Sequence, residues 1–462
     1  MTPNAAMTFA EIGSVEPSTG RPTRLGTAVV LGGSVAGMLA ARVLADHAEQ
    51  VIVIERDSAP EDGVGRNGVP QGSQAHLLLP AAERQLERWF PGFAEDAVSA
   101  GATQAPSHRR SVFLDGMRRA EGAPVHLLSA TRPLIEHKIR QRLDAVPNVR
   151  TVTAQVTGLT VDDTRVTAVQ AIAGDVLTSY PADLVVDATG RGSRLGSWLE
   201  AAGRPKPALI RQVSGVNYAT IFLRRQDGPA PYDTSLAIVS PRVGGDFGMA
   251  FFGAVENDRW ILTMAGYGEC RPGATVEDML RRCREDLPAP FGQLADNEPV
   301  TDVTTYRIAD SRRRDFLGTP HLPAGLIAVG DAVASFNPVY GQGISSATLH
   351  ASCLSMFLHS GQPISEPARH FFDLQRVVVD AAWDLSTFAD LARPSVTAPR
   401  PRGYRVTRWL SGRISAATLV DPVVSRRFEE VSYMLRHPSD LRTGDMLGRA
   451  LRARRPKPGA AA

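Results

Sequence analysis

A glycine-rich turn lies near the start of the chain, between a short run typical of a buried strand and an alanine-rich helical pattern. The turn consists of small residues, Gly32, Gly33, Ser34, Val35, Ala36 and Gly37. Gly32 allows a tight turn, and Gly37 allows the helix to pack closely on the strand. Ser34 stands where the usual pattern has its second glycine, yet its side chain is small enough to leave room for a diphosphate. Because backbone N–H groups converge at a helix start, the turn is predicted to bind an anion.

A carboxylate follows this turn at the spacing expected of a ribose ligand. A second strand pattern, residues 51–54, ends at Glu55, roughly twenty residues beyond the turn. A carboxylate at that strand end accepts hydrogen bonds from ribose hydroxyls and repels a 2′-phosphate. The two features predict a βαβ unit that binds an adenine dinucleotide, either NAD or FAD. On this motif alone, a glycine-rich turn of some other Rossmann-like protein is the alternative.

A second motif, far along the chain, favours FAD. A buried strand pattern delivers Asp331 to a position where its carboxylate can bind a polyol hydroxyl. Pro338, Gly341 and Gly343 then allow the backbone to pass close to a flat ring. The helix that begins near Ile344 directs its positive end toward the pyrimidine edge of a flavin. A simple strand–turn–helix packing unit is the alternative, but two distant segments that both suit FAD disfavour it.

The composition excludes several other classes of function. The chain has 462 residues, of which 43% are hydrophobic and 21% are charged, as in ordinary globular proteins. Its formal charge of +3 disfavours a nucleic-acid partner, and no apolar run reaches the ~20 residues of a transmembrane segment. The three cysteines form no C-x-x-C pair, so no metal site is expected. We therefore expect a cytoplasmic protein whose redox chemistry requires a bound cofactor.

The order of the patterns predicts an α/β protein with an insertion. Strands alternate with helices over most of the chain, which indicates a parallel sheet, whereas long alternating strands after residue 212 indicate an antiparallel sheet. Residues 148–159 and 162–172 are predicted to form a strand pair, and residues 256–258 are predicted to form a hairpin turn between two later strands. Ser129 or Thr131 is predicted to cap a helix that runs to Leu143. The predicted segments are a disordered leader, 1–24; an FAD-binding domain, 25–205, with part of the substrate pocket at 77–128; a β-sheet substrate domain, 206–318; a further segment of the FAD-binding domain, 319–365; and C-terminal helices with a basic tail, 366–462.

Three separated segments together resemble the fingerprints of FAD-dependent monooxygenases, most of all the squalene-epoxidase and aromatic-hydroxylase superfamily. They are the turn 32–37 with Glu55, the segment 187–194 and the segment 330–343. Residues 68–78 narrow the resemblance to the flavin epoxidases of polyether polyketide biosynthesis. The resemblance implies a Rossmann-like FAD-binding domain of the glutathione-reductase type, an inserted antiparallel β-sheet substrate domain and a helical C-terminal region.

The resemblance also implies which residues hold the adenosine diphosphate part of the cofactor. Val35 and Ala36 would contact the diphosphate. Glu55 and Arg56 would contact the adenosine ribose, and Val156 would contact adenine through its backbone.

Further roles are implied at the phosphate, the ribitol and the ring. Arg66 and Arg132 would contact phosphate or ribitol oxygens. Asp331 would contact the ribitol and the pyrophosphate, and Ile344 would contact the isoalloxazine through its amide. Arg132 has an alternative role, because at the start of a predicted helix it could simply pair with Glu136 one turn later.

The chemistry that the resemblance implies is oxygen insertion. Reduced FAD would react with O₂ to form a C4a-hydroperoxide, and one oxygen atom would pass to the substrate. We predict epoxidation of alkenes in an apolar polyene or polyketide of antibiotic biosynthesis, because no side-chain base suited to a phenol is evident. Aromatic hydroxylation and an alkene reduction of the geranylgeranyl-reductase type are the alternatives. A non-enzymatic escort protein is disfavoured, because such a protein would not need an intact flavin loop.

The substrate pocket and the electron donor are less closely specified. Tyr218, Phe251 and Phe252 are predicted to line the pocket, although the sequence does not separate pocket wall from sheet core. No second dinucleotide unit is evident, so NAD(P)H would deliver electrons either directly or through a separate flavin reductase. An apolar small molecule, free or on a carrier protein, is the expected substrate. No side chain is assigned a catalytic role beyond positioning of the ring by the flavin loop.

Overall fold

The computed structural model describes residues 4–58, 76–226 and 231–454. The strands, in chain order, are β1 (Leu25–Leu31), β2 (Ala48–Glu55), β3 (His76–Leu78), β4 (Thr103–Ala105), β5 (Arg110–Leu114), β6 (Met117–Arg118), β7 (Leu127–Ala130), β8 (Val149–Thr153), β9 (Gln155–Val161), β10 (Val166–Ala173), β11 (Val176–Pro181), β12 (Leu184–Asp187), β13 (Ala208–Arg224), β14 (Thr234–Ile238), β15 (Phe247–Val255), β16 (Arg259–Tyr267), β17 (Thr304–Asp315), β18 (Leu326–Ala328) and β19 (Ala334–Ser335). The α-helices are α1 (Ala5–Ile12), α2 (Val35–Ala45), α3 (Pro80–Trp89), α4 (Phe93–Ser99), α5 (Arg132–Asp144), α6 (Leu195–Ala201), α7 (Pro241–Gly244), α8 (Val276–Glu285), α9 (Ala289–Leu294), α10 (Gln342–His359), α11 (Arg369–Asp390), α12 (Tyr404–Ala417), α13 (Pro422–Ser432) and α14 (Gly444–Arg452).

A five-stranded parallel sheet in the order β18-β12-β1-β2-β8 forms the largest core. Except for the edge strand β8, its strands contain continuous buried apolar runs because both faces are covered: α2 packs on β1 and β2, and β10 of a small antiparallel sheet packs on β12. The predicted βαβ unit is present as β1, α2 and β2, with the two strands parallel. The carboxyl ends of β1, β12 and β18 therefore meet at one edge, which is where parallel sheets bind ligands.

An eight-stranded, mostly antiparallel sheet forms the inserted part, in the order β19-β17-β13-β16-β15-β14-β5-β6. The long strand β13 pairs with β16 on one side and with β17 on the other. The hairpin predicted between β15 and β16 is confirmed, since Asn257 and Asp258 take the left-handed φ values of 62° and 49° that a tight turn requires. Strands β5 and β6 place residues 110–118 in the same sheet.

The predicted disordered leader is corrected by the structure. Within the described part of the leader, α1 begins after Asn4, whose side chain accepts a hydrogen bond from Ala6 N at 3.1 Å. Phe9 and Ile12 are buried, and the Phe9 ring lies edge-on to His437 at 5.8 Å. The two apolar side chains lie three residues apart, so one face of a short helix can dock on α10 and α11. The polar residues around α1 concealed this short pattern in the sequence.

A second correction concerns the strand pair predicted over residues 148–159 and 162–172. The first run contains two strands: β8 joins the parallel sheet beside β2, and β9 pairs with β10 in a separate sheet. Ala154 separates them, and its N–H donates to the Glu55 carbonyl at 2.9 Å. A continuous alternating pattern cannot reveal such a change of partner, because both strands satisfy it.

The helical C-terminal region covers both sheets. Helix α11 packs against α10, and α12, α13 and α14 surround a small apolar cluster of their own. Across the described ranges, no helix has the length and apolar character required to cross a membrane. The same part of the chain contains no group of His, Cys, Asp and Glu side chains arranged to hold a metal ion.

Candidate functional site

The three glycine-containing segments meet at the edge of the parallel sheet. Gly32 has φ of +99°, and a Cβ atom there would lie 2.6 Å from the Ala188 carbonyl oxygen. Gly330 has φ of +60°, and a Cβ atom there would lie 2.6 Å from Cβ of Ala36. Because these positions admit only glycine, the turn after β1, the segment after β12 and the segment after β18 approach one another at backbone distance.

The Glu55 carboxylate lies beside the glycine turn. Gly33 N–H donates to Glu55 Oε2 at 2.7 Å, and Asp57 N–H donates to Oε1 at 3.1 Å. Glu55 is half-buried at the end of β2, next to the start of β9, where Val156 is also half-buried. Arg56 lies only 3.6 Å from Asp57 in an ion pair and is largely exposed. Glu55 and Val156 thus share one edge of the site, whereas Arg56 faces solvent.

Arg132 lies beside the glycine turn and contacts two side chains there, and its predicted contact with phosphate or ribitol oxygens stays a prediction. Its Nε pairs with Glu136 Oε1 at 2.8 Å, which is the one-turn pair considered as an alternative. Its Nη2 donates to Ser34 Oγ at 3.1 Å, and Ser34 Oγ donates to Glu136 Oε1 at 2.7 Å. Ser34 does not cap α2 with its side chain, so this network leaves the first N–H groups of α2 without a side-chain cap in the described structure. Of the two predicted caps, Ser129 and Thr131, the structure has Thr131 as the cap of α5.

Asp331 lies on a short 3₁₀ turn, Gly330–Ala332, opposite the start of α2. Burial raises the pKa of this carboxyl, while the nearby Arg132 and Arg191 act to lower it. A hydrogen bond to α10 also holds this turn, because Gly330 N–H donates to His350 Nδ1 at 2.9 Å. His350 is fully buried in α10, and burial lowers its pKa to about 3, so the neutral ring accepts this hydrogen bond. His350 is not among the predicted site residues, because its only signal in the sequence is a polar residue among the apolar residues of a helix.

The segment 187–194 is held in place by its own side chains. Asp187 is fully buried, and it accepts hydrogen bonds from Thr189 N–H at 3.0 Å and from the Ser193 hydroxyl at 2.5 Å. Arg191 projects from the segment and pairs with Asp310 of β17. The segment is therefore joined to the eight-stranded sheet by an ion pair.

Asp310 is a second residue near the site that was not predicted from the sequence. It is fully buried and pairs with Arg191, Arg211 and Arg312. Although burial opposes ionisation, the surrounding arginines hold the pKa of Asp310 below its ordinary value. A single carboxylate just before the three consecutive arginines 312–314 was the signal available in the sequence.

The flavin loop, residues 337–343, leads into α10. Pro338, Gly341 and Gly343 are exposed, and Gly341 has φ of +68° as the N-cap of α10 with no side-chain cap. Directly beyond, Gln342 Oε1 and Ser345 Oγ are buried without a hydrogen-bond partner among the described residues. Ile344 is half-buried between them.

These features fit bound FAD. Two helix starts without side-chain caps, those of α2 and α10, can supply N–H donors to a diphosphate and to the oxygen-rich edge of a flavin. Carboxylates for hydroxyl groups lie nearby at Glu55 and Asp331. The unpartnered polar atoms of Gln342 and Ser345 beside the loop are what a cofactor would satisfy.

The predicted pocket residues lie on two different faces of the eight-stranded sheet. Tyr218 and Phe251 share one face with Met249, and Val339 of the flavin loop packs against it. Phe252 is on the opposite face, where its ring lies edge-on to Trp260 and Phe291, with centroids 5.6 and 5.0 Å away. The assignment of Phe252 to the pocket is therefore wrong. Consecutive residues in a strand point to opposite faces, so Phe251 and Phe252 cannot line the same space.

A buried polar cluster behind the flavin loop was also missed. Asp390, at the end of α11, accepts hydrogen bonds from Asn337 of the loop and from Tyr267 of β16. Tyr340 of the loop donates to the same oxygen. No local sequence pattern predicts this cluster, because its members are brought together only by packing of the sheet, the loop and the helix.

One predicted cofactor residue, Arg66, and most of the segment that narrowed the resemblance to polyether epoxidases lie outside the described residues. Arg66 falls within 59–75, as do residues 68–75 of that segment. The contact of Arg66 with phosphate or ribitol oxygens stays a prediction.

Comparison with known proteins yields relatives over nearly the whole chain, although no known family model matches it. The chain is 30% identical to Protein Rv3254 of Mycobacterium tuberculosis over 446 residues, which covers 89% of this chain and 91% of that protein. It is 25% identical to kynurenine 3-monooxygenase of Salinispora arenicola, covering 92% of this chain and 90% of the relative.

Solved structures with the same fold are flavin enzymes. Flavin-dependent brominase Bmp2 matches with a TM-score of 0.63 at 16% identity, over 92% of this chain and 97% of Bmp2. The p-nitrophenol 4-monooxygenase PnpA of Pseudomonas putida matches with a TM-score of 0.63 at 16% identity, over 90% of this chain and 99% of PnpA. At these identities the two structures show the fold alone. With the sequence relatives and the three converging segments, they confirm the predicted architecture, and the chain belongs to the FAD-dependent monooxygenase family.

Proposed function

We propose that the chain is an epoxidase that uses FAD and O₂ to oxidise alkene bonds of an apolar polyene or polyketide. The observation that carries the proposal is the apolar face beside the flavin loop, formed by Tyr218, Met249 and Phe251 with Val339. Burial raises the pKa of Tyr218 well above its ordinary value, so this hydroxyl stays protonated and does not serve as a base. An alkene fits such a lining, because its oxidation requires no side-chain base.

The chain's own residues would hold the cofactor by three groups of contacts. The start of α2 would donate N–H groups to the diphosphate, and Glu55 would accept hydrogen bonds from the ribose. Asp331 would accept a hydrogen bond from the ribitol, balanced by the positive charge of Arg132. The start of α10 would face the pyrimidine edge of the ring. Bound FAD, once reduced, would activate O₂ and supply one oxygen atom to the substrate.

The apolar face would contribute by excluding water and by orienting the double bond. Phe251 and Met249 are each 8% exposed and carry no strong hydrogen-bonding group, so neither side chain would order water. Water in such a site favours unproductive loss of activated oxygen, whereas a bound alkene held close to the ring favours transfer. We further propose that NAD(P)H supplies the electrons, directly or through a separate flavin reductase, and that the substrate is free or attached to a carrier protein.

Aromatic hydroxylation is the second candidate function. Two of the matches reported above are named for the hydroxylation of aromatic substrates, kynurenine 3-monooxygenase and p-nitrophenol 4-monooxygenase. Both reactions would use the same cofactor and the same face of the sheet. They differ in substrate, since a phenol is activated by loss of a proton and an alkene is not.

The proposal is tested with labelled oxygen. The FAD-loaded protein is incubated with ¹⁸O₂, an NAD(P)H-driven reductase and either a terminal-alkene polyketide surrogate or a phenol of similar size. An epoxide that carries one labelled oxygen supports the proposed function, and a labelled catechol from the phenol alone supports hydroxylation instead. A product two hydrogens heavier with no label would indicate alkene reduction. Protein from which FAD has been removed is the matched control, and a chain that binds no FAD would contradict both functions.

A further inference from the structure

A single buried carboxylate joins three parts of the molecule behind the flavin loop. Asp390 is fully buried at the end of α11. Its Oδ1 accepts hydrogen bonds from Asn337 Nδ2 at 2.8 Å, from the Tyr267 hydroxyl at 2.9 Å and from the Tyr340 hydroxyl at 3.0 Å. Asn337 and Tyr340 belong to the flavin loop, whereas Tyr267 ends β16. Hydrogen bonds to this one oxygen atom therefore connect the flavin loop, the eight-stranded sheet and α11.

The carboxylate fixes the orientation of the Asn337 amide. Asn337 Nδ2 donates to Asp390 and also to the Tyr267 hydroxyl at 3.1 Å. Because an ionised carboxylate only accepts hydrogen bonds, the amide must present its NH₂ group to Asp390 and its oxygen to the other side. Asn337 Oδ1 there accepts from Val339 N–H at 3.0 Å and from the Tyr218 hydroxyl at 3.2 Å. The orientation of Tyr218 at the apolar face thus depends on Asp390 through one intervening side chain.

The surroundings of Asp390 leave its charge only partly compensated. Burial raises the pKa of this carboxyl to about 6, and its Oδ2 is buried with no hydrogen-bond partner. The groups that face it are Tyr267 of β16, Tyr340 of the loop, Tyr218 of β13 and Arg393 just after α11. Burial raises the pKa of all three tyrosines, so they remain protonated.

Arg393 does not neutralise Asp390 by direct pairing. Its guanidinium donates to the carbonyls of Val239, Gly245 and Phe247 at 2.9 to 3.1 Å, and it lies over the Tyr267 ring. The arrangement is therefore unfavourable for folding, because a buried carboxylate with one unsatisfied oxygen is retained where a neutral amide would be easier to bury. A buried charge of this kind is expected where the function of the site requires it and the stability of the fold does not.

We propose that Asp390 is a positioning residue of the flavin site, which holds the flavin loop and, through Asn337, orients the Tyr218 hydroxyl at the substrate face. The inference rests on the proposed function in one respect, the binding of FAD at this loop. Protonation of Asp390 removes the charged acceptor from three donors, and the loop is then held by weaker hydrogen bonds. The conformation in which the flavin loop is hydrogen-bonded to ionised Asp390 is the one that binds the flavin ring.

The experiment measures the dissociation constant of FAD for the full-length chain by quenching of flavin fluorescence, between about pH 5 and about pH 8. The variants are Asp390→Asn, Tyr340→Phe and the control Asp384→Asn, which removes a carboxylate from an exposed position on the same helix. For the natural chain, we expect FAD binding to weaken roughly tenfold as the pH falls through the pKa of Asp390, the size of one weakened charge-assisted hydrogen bond.

Asp390→Asn should bind FAD about tenfold more weakly at neutral pH and show no such transition. Tyr340→Phe should weaken binding by about threefold, because one of three donors is lost, and Asp384→Asn should follow the natural chain. Thermal unfolding of the cofactor-free proteins provides the second readout. Asp390→Asn should unfold at the same or a higher temperature, because it removes a buried charge.

Two results would overturn the inference. One is FAD binding by Asp390→Asn that equals the natural chain and keeps the pH transition. The other is weak binding accompanied by an equally large loss of thermal stability, which would indicate a structural role. If the natural chain binds no FAD at any pH, the proposed function fails and the inference fails with it, whereas unchanged binding by Asp390→Asn removes the inference alone.

Discussion

The two ends of the candidate flavin site are built in different ways. At the adenosine end, Gly33 and Glu55 belong to one βαβ unit, and their 2.7 Å hydrogen bond joins residues that are close in sequence. At the flavin-loop end, Asp390 of α11 joins Asn337 of the loop to Tyr267 of β16. The first end is encoded in a local motif. The second end forms only once the sheet, the loop and the helix have packed together. Substitutions at the two ends should therefore differ in their effects on the protein.

The largest effect is expected at the glycine turn. A Cβ atom at Gly37 would overlap the Gly32 carbonyl oxygen and come within 3.3 Å of Cβ of Ala188, and neither atom belongs to a flexible side-chain end that could move aside. Gly37→Ala should therefore lower the free energy of unfolding by more than about 4 kcal/mol, measured by urea denaturation. Gly412→Ala in α12 is the matched control, since a Cβ atom there meets nothing within 4 Å and helix propensity favours alanine. Equal stability of the two variants would show that the turn is not closely packed.

The two faces of the inserted sheet provide the next comparison. Phe252 is 2% exposed among Trp260 and Phe291, so Phe252→Ala should destabilise the chain by about 3 to 4 kcal/mol. Phe251→Ala, its neighbour on the substrate face, should cost about half as much, because the wall of a pocket has fewer packing partners to lose. Urea denaturation of both variants measures the difference. A larger loss for Phe251→Ala would mean that this face is closed core and not a pocket.

Asp331 tests cofactor binding without a large effect on folding. Asp331→Ala should weaken FAD binding about a hundredfold, or about 2.7 kcal/mol, through loss of the ribitol acceptor. The cofactor-free variant should be at least as stable as the natural chain, because burial raises the pKa of this carboxyl and disfavours its charge. Asp175→Ala on an exposed turn is the control. Retention of full FAD occupancy by Asp331→Ala would refute the assignment of this residue to the cofactor.

The smallest expected effect is a pH dependence of the unfolding free energy that comes from Asp390 at the flavin-loop end. The pKa of Asp390 is raised to about 6 in the folded chain, above its ordinary value, so the folded state binds more protons than the unfolded state between these values. The contribution of Asp390 to stability is therefore fully present at about pH 4 and is lost as the pH rises through 6. Relative to Asp390→Asn, the natural chain should lose ~2 kcal/mol of unfolding free energy over that interval. Parallel pH profiles of the two proteins would show that Asp390 does not titrate in this window.

Sequence patterns located most of the elements around the cofactor. The turn after β1, the carboxylate that ends β2 and the cap of α5 at Thr131 all follow from short-range chemistry, and each is found at the predicted position. Arg132 illustrates the limit of such arguments. The pair with Glu136 was predicted only as the alternative to a cofactor contact. The structure contains this pair, and the same guanidinium also donates to Ser34 in the glycine turn, a contact that the sequence did not predict.

Errors arose where a pattern fitted more than one partner. Residues 148–159 satisfy strand alternation throughout, but only the tertiary structure assigns β8 to the parallel sheet and β9 to another. Phe251 and Phe252 are equally apolar, and the strand pattern could not indicate which of them faces the flavin loop. The short helix α1 was missed because its stability comes from docking on α10 and α11 and not from its own composition.

The sequence by itself determined the βαβ unit, the glycines at its turn and the placement of Glu55 and Asp331 at strand ends, because these depend on backbone geometry over a few residues. Only the tertiary structure decided which face of the inserted sheet meets the flavin loop and which buried groups support that loop. The reason is physical: hydrogen bonds such as those of Asp390 form between segments far apart in the chain, and their energy depends on burial that no local pattern records.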